Sequence, residues 1–296
     1  MLRSRGSSRC LGIAAALVTM GVASGCAAGH AHVPSPVPPS PASSQALANA
    51  KQLELILAGI AGDAANDKFN LALTSRAQSL ISVCMASHDL TYVPRDPRTI
   101  VDTVTDSDFA SMPYAEKYGF GVTTFPTFAK TTDPNEVYVK ALSHSDASRY
   151  QAALDSCDTS ATAQANKEFG VQWANYVFSQ RDAIVRESKS YDAAQAQWRT
   201  CAAGAGYPTA ASRVDLIQEL QAERKALLND LTSRAEQLNV QATQDELAHL
   251  AATDPAWESL HDKEIREAVS TFSCSQALQV TYDRLYERVA QGQPLT

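Results

Sequence analysis

The sequence predicts a mostly α protein, an elongated helical bundle with weak internal duplication, two structural disulfides and one irregular or extended loop excursion. Three observations predict this class. Apolar residues recur at helical spacing through long stretches, helix start signals stand before several of these stretches, and strand signals are scarce. With 45% hydrophobic residues in a chain of 296, there is enough apolar material for a sizeable core.

Residues 1–25 are predicted to be an export signal. Three arginines precede an apolar stretch from Leu11 to Val22, which is too short to cross a bilayer of about 30 Å as a helix. The run that ends at Cys26 has small residues before the cysteine and resembles the lipobox of bacterial lipoproteins. The resemblance implies that Cys26 carries a lipid modification, with diacylglycerol and palmitate, after cleavage before it. The alternative is an ordinary secretory signal that is cleaved nearby.

Residues 26–44 are predicted to be the lipidated N-terminus and a Pro-rich tether. Five prolines among Ser and Ala favour polyproline II, and this composition does not build a core. His30 and His32 are interpreted as linker residues rather than as metal ligands. Removal of residues 1–25 leaves 22 basic and 32 acidic residues, a net charge of −10. This charge argues against nucleic acid as a partner, so the predicted membrane contact is made by the lipid anchor alone.

Four further cysteines lie in two equal intervals. Cys84 and Cys157 are 73 residues apart, and so are Cys201 and Cys274. In an oxidising compartment such cysteines are expected to form cross-links. Four cysteines allow three pairings, and the equal spacing favours Cys84 with Cys157 and Cys201 with Cys274. The sequence has no C-x-x-C motif, so it lacks the usual signatures of zinc-binding and thioredoxin-like proteins.

The equal intervals predict one helical domain of two similar halves. The domain is predicted over residues 62–290, with halves of about 62–180 and 181–290, and residues 45–61 are predicted as a possible extra helix. In each half a helix ends near the first cysteine and is followed by a segment with Tyr and Pro, because the residue before proline disfavours helix. Each disulfide would therefore tie one helix of a half to another.

Helix signals are strongest in the second half. An amphipathic helix is predicted from Val214 to Leu238. Thr243, followed three residues later by Glu246, has the capping-box pattern, and Asp254 before a proline marks the next start. From this start, apolar residues between Ile265 and Val289 predict one final helix that continues to the C-terminus.

The first half contains one repeat of the start signal and one exception to the helical pattern. Asp133 before Pro134 repeats the start signal. Phe120 to Phe128 is rich in Val, Thr and Phe with Gly and Pro, and predicts a loop or a short extended segment.

Several short motifs are spread over most of the predicted mature chain. They are Cys84-Met85, Tyr92-Val93-Pro94, Tyr118 to Thr124, Asn135 with Tyr138 and Leu142, Trp198 with Cys201, Gly206-Tyr207, and Cys274. In this order they resemble the pattern of a family of uncharacterised actinobacterial lipoproteins. The resemblance implies the helical plan and a lipid-anchored location in the cell envelope, on the outer face of the cytoplasmic membrane. It implies no catalytic residue.

No motif in the sequence indicates a named reaction. The patterns of acyl transfer, nucleotide binding and penicillin binding are absent. Glu246 and His249, three apart on a predicted helix, resemble half of a helical-bundle metal site, but without a matching second pair we predict no metal and no cofactor. Asp102, Asp106 and Asp108 are interpreted as caps rather than as calcium ligands. A pair of catalytic carboxylates of the glycosidase type is a further alternative, because the distance between two carboxyl groups cannot be read from a sequence.

Aromatic residues near the cysteines and glycines form the predicted recognition surface. Aromatic side chains on glycine-bearing loops present large contact areas at small entropic cost. The alternative is that they fill the junction between the two halves. The residues are Tyr92, Tyr118, Phe120, Trp198 and Tyr207.

These observations favour a membrane-tethered, non-enzymatic binding or interaction module in the bacterial envelope, with an envelope protein or the cell wall as its partner. The first alternative is an envelope hydrolase or a metal-dependent enzyme that acts on cell-wall polymers. The second is a solute-binding lipoprotein, although the α/β pattern of most such proteins is absent. A deep cleft with two acids of strongly raised pKa would favour the enzyme, and a shallow groove would favour the module.

Overall fold

The computed structural model describes residues 40–41, 43–99, 111–125, 133–238, 240 and 242–295. The predicted signal, the lipidated cysteine, most of the tether and the aspartates at 102, 106 and 108 lie outside these residues. So do residues 126–128 of the predicted excursion.

The described residues contain eleven α-helices and no strand. The mostly α prediction is therefore confirmed. A 3₁₀ turn at Pro97–Thr99 lies between the second and third helices. The helices are α1 Ser44–Leu57, α2 Asp63–Ser87, α3 Met112–Tyr118, α4 Pro134–Lys140, α5 His144–Glu168, α6 Val171–Arg186, α7 Lys189–Gly204, α8 Arg213–Gln237, α9 Gln244–Ala251, α10 Pro255–Ser270 and α11 Phe272–Ala290.

Side-chain caps begin eight of these helices. The predicted starts at Asp133, Thr243 and Asp254 are confirmed, since each side chain accepts a hydrogen bond from a backbone N–H in the first turn. Serines cap the other five: Ser43, Ser111, Ser143, Ser188 and Ser212. The sequence therefore sets these helix starts locally.

The predicted single final helix is wrong, because it is divided into α10 and α11. Thr271 separates the two and has φ −99° and ψ 6°, which depart from helical values. Its hydroxyl donates to the backbone carbonyl of Glu267 at 2.7 Å, and the residue is fully buried. A threonine that binds the preceding turn in this way often bends a helix.

Both predicted disulfides are confirmed. Cys84–Cys157 joins the end of α2 to the middle of α5, and Cys201–Cys274 joins the end of α7 to the start of α11. The Cα–Cα distances are 5.6 and 5.7 Å, in the usual range for a disulfide. The same helix pairs also pack side by side. In the chain-entropy model, each loop of this size stabilises the fold by about 4 kcal/mol at most.

Helices of the two predicted halves pack against each other. α3 packs on α10, and α6 packs on both α1 and α11. The described helices belong to one compact unit, and the boundary predicted near residue 180 falls inside α6. The division into two similar halves stays a prediction.

α1 accounts for most of the predicted extra helix at residues 45–61, and it docks on α6. Ala46 and Ala50 are fully buried on the face toward α6. Glu54, also buried, is paired with Arg181 and accepts the hydroxyl of Tyr286 at 2.7 Å. Gly170 lies against α1 in a left-handed conformation, φ +66°. The helix that follows the tether is thus held by close backbone packing and a buried acid.

None of the helices in the described residues is long and apolar enough to cross a bilayer.

We expect Gly170→Ala to lower the free energy of unfolding by about 2 kcal/mol or more, measured by urea denaturation, because non-glycine residues are strained in this conformation. A Cβ at Gly170 would also lie 2.5 Å from the carbonyl oxygen of Ala46 and 2.7 Å from the Cβ of Ala50. Gly204→Ala is the matched control, since Gly204 is helical and no atom lies within 4 Å of its added Cβ. It should be neutral or stabilising by up to about 1 kcal/mol. Equal stability of the two variants would contradict this account of α1.

Candidate functional site

The five aromatic residues of the predicted recognition surface do not all reach the surface. Tyr92 and Trp198 are buried, with 9% and 1% of their surfaces exposed, and pack in two different core clusters. Tyr207 is half-buried against the cluster of Trp198, whereas Tyr118 and Phe120 are half-buried near α10. Tyr92 and Trp198 therefore contribute to packing rather than to a recognition surface. Recognition by the other three stays a prediction.

The segment around Tyr92 is held by two amide side chains. Gln78 accepts the hydroxyl of Tyr92 at 2.7 Å and the N–H of Arg95 at 3.0 Å. Asn135 accepts the N–H of Val93 at 2.8 Å and donates to its carbonyl at 2.9 Å. Burial raises the pKa of Tyr92 to about 12. The Tyr-x-Pro and Asn motifs thus act together to fix an irregular strip of backbone.

The segment after α3 is held by Glu264 of α10. Its carboxylate is fully buried and accepts the N–H of Val122 at 2.6 Å, the N–H of Thr123 at 2.8 Å and the hydroxyl of Thr123 at 2.6 Å. Gly119 lies directly against this side chain at φ +62°, and a Cβ there would overlap the Cγ and lie 2.9 Å from the Cδ of Glu264. The segment forms turns and bends rather than a strand in its described part.

Two arginines of α8 contact aromatic rings of the same region. The guanidinium of Arg213 lies 5.5 Å from the ring centre of Phe120, and that of Arg224 lies 5.9 Å from the rings of Phe125 and Trp257. Phe125 stacks on Trp257 with 4.9 Å between ring centres. Burial lowers the pKa of both arginines. The segment therefore has α10 on one side and the arginines of α8 on another.

A groove of about 420 Å³ runs between α8 and α10. Four apolar residues line it, Ala226, Leu227, Ala256 and Leu260. Four polar or charged residues complete the lining, Glu223, Ser259, Lys263 and Arg266. The groove thus combines an apolar surface with charged edges.

Three carboxylates surround the ammonium group of Lys263 beside this groove. The Lys263 Nζ lies 2.6 Å from Glu223, 2.9 Å from Glu219 and 3.8 Å from Glu267. Burial alone would lower the pKa of Lys263, but the hydrogen bonds to Glu223 and Glu219 outweigh it and raise that pKa. With Arg266, which also lines the groove, two cations face these three acids. The cluster therefore leaves an excess of negative charge beside the groove.

Glu267 is the buried member of this cluster. Only 5% of the surface of Glu267 is exposed, and its Oε2 has no hydrogen-bond partner. Burial raises its pKa, since the charged form loses hydration that Lys263 only partly replaces. Glu267 is thus a buried acid with a raised pKa beside the groove. General acid–base catalysis usually needs a second such group.

Potential metal ligands converge at one place in the described residues, and that place is explained by a disulfide. Cys84, His88 and Cys157 lie close together, but both sulfurs are joined to each other. Glu246 and His249 lie on α9 as predicted, and His249 is exposed. No third ligand joins them in the part of the chain that the structure describes.

Glu264, Lys263 and Glu267 were not among the residues predicted from sequence. One signal was present for Glu264, which shares a helical face with Trp257, Leu260 and Ala268, all of them buried. A charged residue inside an apolar stripe indicates a buried polar contact. No family model matches the chain, and neither a curated protein nor a solved structure is significantly similar to it.

We expect Glu264→Gln to lower the free energy of unfolding by about 2 kcal/mol or more. Each carboxylate oxygen accepts a backbone N–H, so either orientation of the amide places an NH₂ group against a donor. Urea denaturation measures the change, and hydrogen exchange at Val122 and Thr123 should rise with it. Unchanged stability would contradict the structural role of this carboxylate.

Glu267→Gln on the same helix is the matched control and should be neutral or stabilising at pH 7, by roughly 1 kcal/mol. The folded pKa of Glu267 is raised above 4.5, so the folded state binds more protons between the two pKa values. Stability from this group is therefore lost as pH rises from about 4.5 through the folded pKa. Unfolding measured from pH 4 to 8 should show that the advantage of the variant grows over this range and is absent at the acidic end. The opposite slope would contradict the burial argument.

Proposed function

We propose that the chain is a membrane-tethered extracytoplasmic lipoprotein, of the actinobacterial type that its motifs resemble, and that it acts as a non-enzymatic interaction module in the bacterial envelope. Cys26 would carry the lipid on the outer face of the cytoplasmic membrane, and the Pro-rich tether would separate it from the helical body. Two disulfides between packed helices support this location, because disulfides persist in oxidising compartments.

The groove between α8 and α10 carries the proposal of a binding role. It presents the apolar side chains of Leu227 and Leu260 beside the small residues Ala226 and Ala256. Small residues between two helices allow a third helix to approach closely, and an amphipathic helix buries its apolar face in such a groove. We therefore assign the groove to a helical segment of an envelope partner.

The charge beside the groove favours a basic segment. Glu219 and Glu223 form ion pairs with Lys263 at the edge of the groove, and Glu267 lies behind them with one carboxylate oxygen unpartnered. The predicted mature chain has 22 basic and 32 acidic residues. A Lys or Arg of the partner would find uncompensated carboxylates there, and such complementarity sets partner choice and association rate.

The other buried acids support binding rather than hydrolysis, because they are bound to structural partners. Asp182 is paired with Arg186 and accepts the hydroxyl of Tyr282 at 2.7 Å. Glu54 is bound by Arg181 and Tyr286, and Glu264 by the segment after α3. Each of these carboxylates holds helices or backbone together.

We expect a synthetic amphipathic helical peptide with a Leu face and Lys residues to bind the chain more tightly than the same peptide with Glu for Lys. Fluorescence anisotropy measures both, and affinity for the Lys peptide should fall as salt rises. Ala226→Trp, which fills the groove, should weaken binding tenfold or more. Ala163→Trp on α5 is the matched control, because both alanines are exposed on helices. Equal binding of the two peptides, or an equal loss in both variants, would overturn the assignment of the groove.

The lipid anchor is tested separately. Cys26→Ala should move the chain from the membrane fraction to the soluble envelope fraction and remove the mass of the lipid, because two or more acyl chains account for stable anchoring. Globomycin should cause the uncleaved precursor to accumulate. Cys10→Ala, within the predicted signal, is the control and should leave both results unchanged. A Cys26→Ala protein that stays fully membrane-bound would remove the anchor without affecting the groove.

A further inference from the structure

Three side chains that can bind metal ions meet where the end of α2 packs on α5. The sulfurs of Cys84 and Cys157 and a ring nitrogen of His88 all lie within 4.8 Å of one another. Cys84 and His88 are four residues apart at the end of α2, so they lie on the same side of its last turn. Cys157 is fully buried on α5, whereas His88 is exposed. In the structure the two sulfurs form a disulfide, so the imidazole stands beside an S–S bond.

The second disulfide is a matched comparison, because it lacks this imidazole. Cys201 and Cys274 are also 73 residues apart, and they also join the end of one helix to another helix. Cys274 is buried, as Cys157 is, and Cys201 is exposed. Ala205 stands four residues after Cys201, and within the described ranges no histidine or acid lies close enough to this pair to complete a set of three ligands. The two cysteine pairs therefore differ in one potential ligand.

Contacts besides the disulfide hold α2 against α5. Ile81 and Met85 of α2 are buried in the same apolar cluster as Cys157. Farther from the disulfide, Arg76 donates to Glu168 of α5 through its Nε at 2.6 Å and through a terminal nitrogen at 3.0 Å. An arginine and a carboxylate that share two parallel hydrogen bonds are fixed in their relative orientation. We therefore expect the two helices to stay side by side after reduction, with the two thiols near each other.

We propose that reduction of the Cys84–Cys157 disulfide creates a binding site for a thiophilic divalent ion of the Zn²⁺ class, with the two thiolates and the imidazole of His88 as its ligands. Zn²⁺ accepts ligand sets of thiolate and imidazole. On a tetrahedral ion with Zn–S distances of about 2.3 Å and Zn–N distances of about 2.0 Å, neighbouring ligand atoms lie roughly 3.5 to 3.8 Å apart. Rotation of the side chains can supply such spacings, because the ligand atoms already lie within 4.8 Å of one another. This site goes beyond the proposed interaction role and does not depend on it.

The reduction is a thiol–disulfide exchange with a dithiol. A thiolate of the dithiol attacks the sulfur of Cys84, which is the less buried of the two cysteines, and its second thiol then releases Cys84 from the mixed disulfide. The dithiol is oxidised to a disulfide, and the two electrons and two protons that it loses end on Cys84 and Cys157. Binding of Zn²⁺ displaces these two protons to solvent, because the metal ligands are thiolates.

The site supplies three protein ligands and one open position. No fourth His, Cys, Asp or Glu joins the three in the part of the chain that the structure describes. Zinc sites with three protein ligands keep water or an outside ligand in the fourth position. Re-formation of the disulfide removes two of the three ligands, so oxidation would release the ion. Metal binding would thus depend on the redox state of this one cysteine pair.

The test uses the full chain, purified in detergent, with Cys10→Ser, Cys26→Ser, His30→Gln and His32→Gln, so that its cysteines are those of the two disulfides. After reduction by a phosphine, which has no thiol, one Co²⁺ ion per chain should bind and give the absorption of a tetrahedral Co²⁺–thiolate site, and ZnCl₂ should displace it. The chain with both disulfides intact should give no such absorption. Diamide, a two-electron oxidant of thiols, should release the ion and restore the Cys84–Cys157 bond in peptide mass mapping.

Histidine variants of this chain test the third ligand. His88→Gln should weaken Zn²⁺ binding by the reduced chain about tenfold or more, since loss of a group that merely orients a ligand can cost that much. His144→Gln is the matched control, because His144 is also exposed, and it should leave the affinity unchanged. Equal affinities of these two variants would overturn the proposal.

Cysteine variants test which pair binds the ion. Cys201→Ser/Cys274→Ser should retain the one bound ion after reduction, whereas Cys84→Ser/Cys157→Ser should lose it, and the reverse result would refute the site. Circular dichroism follows the fold, and a reduced chain that loses its helices and does not regain them with Zn²⁺ also refutes it. If either cysteine variant fails to fold, the comparison of the two histidine variants decides.

Discussion

The buried carboxylate of Glu264 is the interaction on which the arrangement around α10 depends. It joins α10 to backbone groups 141 and 142 positions earlier in the chain. A buried charge needs hydrogen-bonding partners, and the N–H groups of an irregular segment need acceptors. Each side of this contact therefore satisfies a requirement of the other. Gly119 completes it, since the close approach of its backbone to Glu264 leaves no room for a side chain.

The same principle recurs where the chain leaves a helix. Asn135 and Gln78 satisfy the backbone around Val93, because a segment without regular secondary structure lacks backbone partners of its own. Disulfides act differently, since they join helices that already pack on each other. Apolar packing, covalent links and buried acids such as Glu54 thus hold the helices together, while Gln78, Asn135 and Glu264 position the segments between them.

Local signals in the sequence predicted the helical class and several helix starts, and the equal spacing of the cysteines predicted the disulfide pairing. The side chains of Asp133, Thr243 and Asp254 cap helices that begin at the next residue, so these starts can be predicted without knowledge of the tertiary structure. The aromatic surface was predicted poorly for the opposite reason. Trp198 is buried by α11, which comes more than 70 residues later, and its indole N–H donates to Ser275 at 3.3 Å. Burial of this kind depends on tertiary packing that residue type does not reveal.

α10 combines two kinds of surface because its helical period places them on different sides. Lys263 faces the groove and the acids of α8, whereas His261 and Glu264 face the segment after α3. The buried Glu267 lies next to Lys263, which lines the groove. Any segment that drew Lys263 away from Glu267 without supplying a cation would leave a buried carboxylate uncompensated, at a large cost in free energy. In the proposed binding role, the groove would therefore discriminate against neutral and acidic segments through the buried Glu267 as well as through its surface charge.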